Sequence, residues 1–146
     1  MCQPGSPTDL YPEDDGIPLS EGTLHFEWIE RMYSNIRSIF CERPDVFVAC
    51  DLLWYHEEGN PNARQAPDTM VVFGRPKGHR RTYLQWQEGN IAPQVVIEIR
   101  APSNDEQYMA NKLRDYDAWG VLEYFAYDPE RNLLLNSRRN AAESAN

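Results

Sequence analysis

The sequence predicts a domain of the α/β class, or of the α+β class in the wider sense, because two amphipathic helix patterns enclose several short apolar runs. The helix patterns cover about residues 21–40 and 105–119, and the run QVVIEI at residues 94–99 is the most strand-like stretch. At 146 residues the chain has the length of one ordinary domain and can bury a core without disulfides. We therefore expect one folded unit with the QVVIEI run as its central strand.

Composition divides the chain into three segments. Residues 1–20 are rich in proline, glycine and acidic residues, and we expect a mobile segment that stays outside the core. Residues 21–136 carry the helix and strand patterns and form the expected domain. Residues 137–146 have no strand pattern and are expected to be a loose tail.

The first helix is predicted from apolar residues that recur at three- and four-residue steps, which places them on one face. These residues are Leu24, Trp28, Met32, Ile36 and Ile39. Pro44 ends the pattern, and residues 46–55 then predict one strand because they are rich in β-branched and aromatic residues. Residues 68–73 predict a second strand, and the polar stretch 79–93 separates it from the QVVIEI run.

The second helix is predicted from a shared apolar face and from a glycine placed to end the helix in the left-handed conformation. The face consists of Met109, Leu113, Tyr116 and Trp119, and the glycine is Gly120. A strand at residues 123–127, a turn at residues 128–130 and a last strand at residues 133–135 complete the expected order.

The charge distribution gives opposed indications about nucleic acid. A formal net charge of −9 repels a phosphate backbone at long range and counts against a nonspecific, high-affinity nucleic-acid binder. The loop after the second strand nevertheless concentrates positive charge in Arg75, Lys77, His79, Arg80 and Arg81. The sequence leaves open whether this loop is a basic patch or a solvated loop.

Cysteine usage and hydropathy bear on the compartment. Cys2, Cys41 and Cys50 are odd in number, lack metal-ligand spacing and follow no secretory signal, which favours a reducing cytoplasm over a disulfide framework. No apolar run reaches the roughly 18 residues that a membrane span needs. We expect a cytoplasmic protein.

Glu98 is the first candidate site residue, because it is an ionisable group inside the aliphatic run VVIEI. Burying an unpaired carboxylate is costly, so a metal ion, a basic partner or an exposed strand end must compensate its charge. The two-residue period of a strand places Val96, Glu98 and Arg100 on one face, and a salt bridge to Arg100 is the simplest alternative to a metal.

Asp68 and Lys112 complete a candidate constellation. Asp68 begins the preceding apolar strand, so pairing of the two strands would bring it beside Glu98, and adjacent carboxylates favour a hard cation such as Mg²⁺. Lys112, one turn before Tyr116 in the second helix, could stabilise charge at a phosphate under attack. Taken singly, Asp68 is typical of a turn cap and Lys112 of a solvated helix lysine.

The blocks PDVFVACDLLWYHEEGN, RQAPDTMVVFGRPKGHR, NIAPQVVIEIRAPSN and KLRDYDAWGVLEYFAYDP resemble the Uma-two family of restriction-endonuclease-like proteins, of cyanobacterial type, over about residues 19–133. The resemblance implies a PD-(D/E)XK nuclease core with a mixed sheet between helices. It also implies hydrolysis of DNA phosphodiesters with Mg²⁺ or Mn²⁺. By motif, Asp68 and Glu98 hold the metal, with the carbonyl of Ile99 as a further ligand, and Lys112 is the displaced family lysine.

The resemblance also leads to expectations about assembly and alternatives. Arg100 occupies the place of the superfamily lysine, and the chain ends soon after YDPERNLLLN, so a shortened, noncatalytic member acting as a binding or assembly module is the main alternative. A phosphodiesterase acting on RNA or small nucleotides is a weaker one. An apolar face left uncovered by missing strands would favour a homodimer.

Overall fold

The computed structural model describes residues 10–139, and two helices and eight strands make up its regular structure apart from one short 3₁₀ turn. In chain order these are α1 (Gly22–Ile39), β1 (Val46–Ala49), β2 (Trp54–Tyr55), β3 (Arg64–Gln65), β4 (Thr69–Phe73), β5 (Tyr83–Leu84), the 3₁₀ turn (Gln85–Gln87), β6 (Val95–Ile99), α2 (Glu106–Ala118), β7 (Glu123–Asp128) and β8 (Leu133–Arg138). Neither helix in this part of the chain is apolar over a stretch long enough to cross a membrane.

The main sheet has five strands in the order β1-β4-β6-β7-β8, and β6 is its centre. The pairs β1–β4, β4–β6 and β7–β8 are antiparallel, whereas β6 and β7 are parallel and are joined through α2. A parallel connection needs such a crossover because the chain must return to the same end of the sheet. The predicted central strand and the mixed α/β architecture are confirmed.

The core lies mainly between this sheet and α2. Val96 of β6, Tyr116 of α2 and Tyr124 of β7 are buried in one cluster, and Met109, Leu113 and Trp119 pack against it as predicted. The side chain of Asp105 caps α2 by accepting a hydrogen bond from the Tyr108 N–H, and Gly120 follows the helix with φ +98°. The second helix is therefore confirmed together with its predicted stop.

The prediction of one strand over residues 46–55 is wrong, because β1 and β2 belong to different sheets. Asp51 lies between them with φ +52°, a conformation that ends an extended strand, and its N–H donates to the carbonyl of Pro67. The chain then enters a small second sheet in the order β3-β2-β5. Strand β5 lies within the polar stretch 79–93, for which no strand was predicted.

The predicted buried face of α1 is also wrong at both ends. Leu24 and Ile39 are 44% and 68% exposed, whereas His25 and Ile29 are buried. The helix contacts β1, β4 and β6, and the middle residues of the predicted stripe, Trp28, Met32 and Ile36, are half-buried. The His25 ring makes a hydrogen bond to the main chain of β6, a contact that an apolar pattern does not indicate.

Part of the N-terminal segment packs in the core, contrary to expectation. The Tyr11 ring is 8% exposed and lies 5.1 Å from the Tyr55 ring and 5.0 Å from the Trp86 ring. The Tyr55 hydroxyl donates to the carbonyl of Pro12. At the other terminus β8 runs to Arg138, two residues into the predicted tail. The rest of that tail and the first nine residues lie outside the described residues, apart from Arg139.

Candidate metal-binding and active site

Asp68 and Glu98 face each other across two neighbouring strands. In the β4–β6 ladder Thr69 pairs with Ile97 and Met70 with Val96, and one further step of this antiparallel register pairs Asp68 with Glu98. Directly opposed side chains on one face of a sheet are close neighbours. Asp68 Oδ2 also accepts a hydrogen bond from the Ile99 N–H at 2.8 Å. The two candidate carboxylates thus meet at the end of the central strand.

Helix α2 supplies a cation and a hydroxyl to the same carboxylate. Lys112 Nζ lies 3.3 Å from Glu98 Oε1, and the Tyr116 hydroxyl donates to that oxygen at 2.6 Å. The two residues are one turn apart and project from one face of the helix. Glu98 is only 4% exposed, so these contacts compensate its buried charge. The structure therefore brings Asp68, Glu98 and Lys112 together.

Arg100 is not the partner of Glu98, so the simplest alternative to a metal is wrong. Its guanidinium contacts Glu106 Oε1 at 2.8 Å and donates to the Asn104 carbonyl at 3.0 Å. Strand β6 ends at Ile99, one residue earlier, and the strand period no longer governs the direction of the Arg100 side chain. Arg100 instead ties the end of β6 to the first turn of α2.

Burial and the proximity of Glu98 change the pKa values of Asp68 and Lys112. Burial, followed by the charge of Glu98, raises the pKa of Asp68 well above its usual value, although the Ile99 N–H acts in the opposite direction. Burial lowers the pKa of Lys112, but Glu98, Tyr108 and Asp68 together raise it above its ordinary value. The two carboxylates therefore favour a positive charge on Lys112, and Glu98 favours a proton on Asp68.

The donor set fits a hard divalent cation. Among residues 10–139 no N–H or O–H hydrogen bond reaches Oδ1 of Asp68 or Oε2 of Glu98, and Ile99 lines the same cavity as these two carboxylates. Carboxylate and carbonyl oxygens are the ligands that Mg²⁺ and Mn²⁺ prefer, with water completing the shell. In the same described range no three His, Cys, Asp or Glu side chains converge as metal ligands, so this set has two side chains.

A cavity of about 350 Å³ opens onto the carboxylates, and its lining contains residues that the sequence did not single out. One wall is the segment 15–21, which carries Asp15 and Glu21, and another includes Asp51 and His25. Burial, then the charges of Asp15, Asp14 and Glu98, raises the pKa of Asp51. No local pattern marks these residues, because chain segments distant in sequence bring them to the cavity.

The basic loop is largely used for internal contacts. Arg75 and Arg80 both pair with Glu88, at 3.2 and 3.0 Å, and the Arg80 guanidinium also lies 3.9 Å from the centre of the Phe47 ring. Lys77 Nζ donates to the carbonyls of Phe40 and Val46. Neither a free basic patch nor a fully solvated loop describes it, since most of its cations stabilise the fold around β1.

Comparison with known proteins bears on the family of this chain. A family model described as "Uma2: Putative restriction endonuclease" matches residues 13–145. A putative nuclease belonging to DUF820 from Anabaena variabilis has a similar crystal structure, with a TM-score of 0.63 and 18% identity over 81% of this chain. The match spans 64% of that neighbour's length and shows a shared restriction-endonuclease-like fold. No curated protein matches. By its family match, the chain belongs to the Uma2 family of putative restriction endonucleases.

Proposed function

We propose that the chain is a metal-dependent endonuclease that hydrolyses DNA phosphodiester bonds. The observation that carries the proposal is the placement of Asp68 opposite Glu98 on adjacent strands, with Lys112 beside them. Family membership and the name of the structural neighbour agree with a nuclease. The fold alone would support many activities, so the proposal depends on this site.

Each residue has a distinct role in the proposed mechanism. Asp68, Glu98 and the carbonyl of Ile99 would hold Mg²⁺ or Mn²⁺. When bound, the cation supplies Lewis-acid polarisation of the phosphate and activates water for attack. Lys112, which lies 3.3 Å from Glu98 Oε1, would neutralise charge at a phosphate oxygen. Tyr116 fixes the Glu98 carboxylate by its 2.6 Å hydrogen bond.

The first experiment measures cation binding and cleavage on the same samples. Mn²⁺ and Mg²⁺ are titrated calorimetrically into the wild type, Glu98→Ala and the control Glu106→Ala, which removes an exposed acid from the nearby Arg100 pair. We expect binding and nicking of supercoiled DNA in the wild type and the control, and neither in Glu98→Ala. Nicking that persists in Glu98→Ala would contradict the proposal.

A noncatalytic binding or assembly module is the second candidate, and one contact favours it. Lys112 pairs with Glu98 and compensates its charge, and the cavity is lined by further acids, which repel a phosphate backbone. Absence of Mn²⁺ binding in the wild type would favour this candidate. A substrate panel of duplex DNA, RNA and small nucleotide diesters separates DNA cleavage from other phosphodiesterase activity.

Assembly and compartment are proposed from two further features. Leu133, Leu134 and Leu135 are 60%, 63% and 55% exposed on β8, the edge strand of the main sheet, which favours a homodimer formed through this strand. Cys41 and Cys50 are free thiols, which favours the reducing cytoplasm.

A further inference from the structure

His25 is a buried polar residue in the first turns of α1 to which the proposed function assigns no role. Its side chain is 6% exposed, and both ring nitrogens have main-chain partners. The Glu21 N–H donates to Nδ1 at 2.9 Å, and Nε2 lies 2.7 Å from the carbonyl oxygen of Ile99. The ring thus bridges the start of α1 and the end of the central strand.

These two contacts determine where the ring proton lies. Nδ1 accepts from an N–H group, so in the neutral imidazole the proton is on Nε2 and is donated to the Ile99 carbonyl. In this tautomer neither nitrogen has a lone pair directed at the cavity. His25 therefore acts on the site through Ile99 and not as a ligand of its own.

The peptide groups of Ile99 are held from both directions. Its N–H donates to Asp68 Oδ2, its carbonyl accepts from His25, and the following N–H, that of Arg100, donates to the carbonyl of Tyr127. A carbonyl oxygen has two lone pairs, so the bond from His25 leaves one available. The His25 hydrogen bond therefore restrains the orientation of the Ile99 carbonyl.

We propose that His25 is a positioning residue that holds the Ile99 carbonyl in place for a divalent cation bound by Asp68 and Glu98. The inference rests on the proposed function, because it assigns a role around the same cation. Groups that hydrogen-bond to metal ligands orient them, and their loss typically weakens metal binding about 10- to 100-fold. The long sequence separation between His25 and Ile99 hides this relation from any local pattern.

A purely structural role is the competing explanation. The Glu21 residue is the N-cap of α1, and the bond from its N–H to His25 resembles the return bond of a capping box, which stabilises a helix start. The two roles use different ring nitrogens and can be separated. An asparagine side chain reaches only as far as Nδ1, whereas a glutamine amide reaches the position of Nε2.

The test compares His25→Asn and His25→Gln in the full chain. His25→Asn keeps an acceptor for Glu21 but loses the donor to Ile99, and His25→Gln keeps that donor. Ile29→Val, one turn further along α1, is the control, because it trims a buried side chain and keeps both hydrogen-bonding nitrogens of His25. Calorimetry gives the Kd for Mn²⁺, and thermal unfolding of the metal-free protein gives Tm.

We expect Mn²⁺ binding by His25→Asn to weaken at least about tenfold, with His25→Gln near the wild type. Ile29→Val should lower Tm and leave the Kd for Mn²⁺ unchanged. Equal Kd values for His25→Asn and the wild type would overturn the positioning role while leaving the proposed nuclease site intact. A wild type that binds no Mn²⁺ would overturn both, so the two failures are distinguishable.

Discussion

At the scale of single residues, the site depends on a buried carboxylate with three kinds of neighbour. Glu98 forms an ion pair with Lys112 and accepts a hydrogen bond from the Tyr116 hydroxyl. Its charge also repels that of Asp68. Breaking a buried ion pair commonly costs several kcal/mol because it leaves one charge uncompensated. The Glu98 carboxylate therefore depends on Lys112 and Tyr116 for compensation of its buried charge.

The raised pKa of Asp68 predicts how metal-free stability depends on pH. The folded protein binds this proton more tightly than the unfolded chain, so the contribution is fully present below about pH 4 and is lost as pH rises through the raised pKa. The stability of Asp68→Asn should therefore rise relative to that of the wild type as the pH increases from 4 towards 8.

Urea unfolding in EDTA across pH 4 to 8 measures this difference. Glu42→Gln, an exposed acid just beyond α1, is the matched control and should follow the wild type across the range. A constant difference between Asp68→Asn and the wild type at every pH would show that this carboxyl keeps an ordinary pKa in the fold.

At the scale of helices and strands, a local sequence pattern predicts an element correctly where the packing of the fold matches that pattern. The QVVIEI strand is confirmed because its apolar run matches its buried position. The second helix is confirmed because its apolar period, N-cap and stop coincide within one segment. The prediction of one strand over residues 46–55 is wrong because Asp51 leaves the strand conformation. Its N–H donates to the carbonyl of Pro67, a contact that forms only after the chain has turned back. In α1, the apolar pattern misses His25, which is buried and makes a hydrogen bond to the main chain of β6.

The cap of α2 predicts a measurable contribution to stability. Asp105 accepts the Tyr108 N–H at 2.7 Å, and α2 carries both Lys112 and Tyr116. Asp105→Ala should reduce the free energy of unfolding by about 1 kcal/mol, whereas the exposed control Gln107→Ala should change it by less than about 0.5 kcal/mol. Equal urea midpoints for the two variants would contradict a capping role for this side chain.

At the scale of the whole molecule, the site joins segments that the sequence keeps far apart. The Asp68–Glu98 pair could be anticipated, because two consecutive predicted strands suggest antiparallel pairing. Lys112 could be anticipated as a candidate from its place one turn before Tyr116, but only the resemblance favoured it over an ordinary solvated helix lysine. His25, Asp51 and the segment 15–21 could not, because their approach depends on how α1 and the N-terminal segment pack on the finished sheet.

The exposed edge of the sheet predicts the state of association. Light scattering at increasing concentration should approach twice the chain mass for the wild type. Leu134→Glu, which places a charge in the middle of β8, should return the protein to a monomer. Leu122→Glu is the control, because that leucine is 42% exposed but lies outside β8. A wild type that stays monomeric at all concentrations would rule out this assembly.

The packing of Tyr11 has a practical consequence for anyone who shortens the chain. A fragment starting at residue 21 retains both helices and all five strands of the main sheet. It would nevertheless lose the ring between Tyr55 and Trp86 and the backbone that encloses one side of the cavity. Such a fragment would present the carboxylates to bulk solvent and report on a different binding environment. Expression boundaries for this protein should therefore lie before Tyr11.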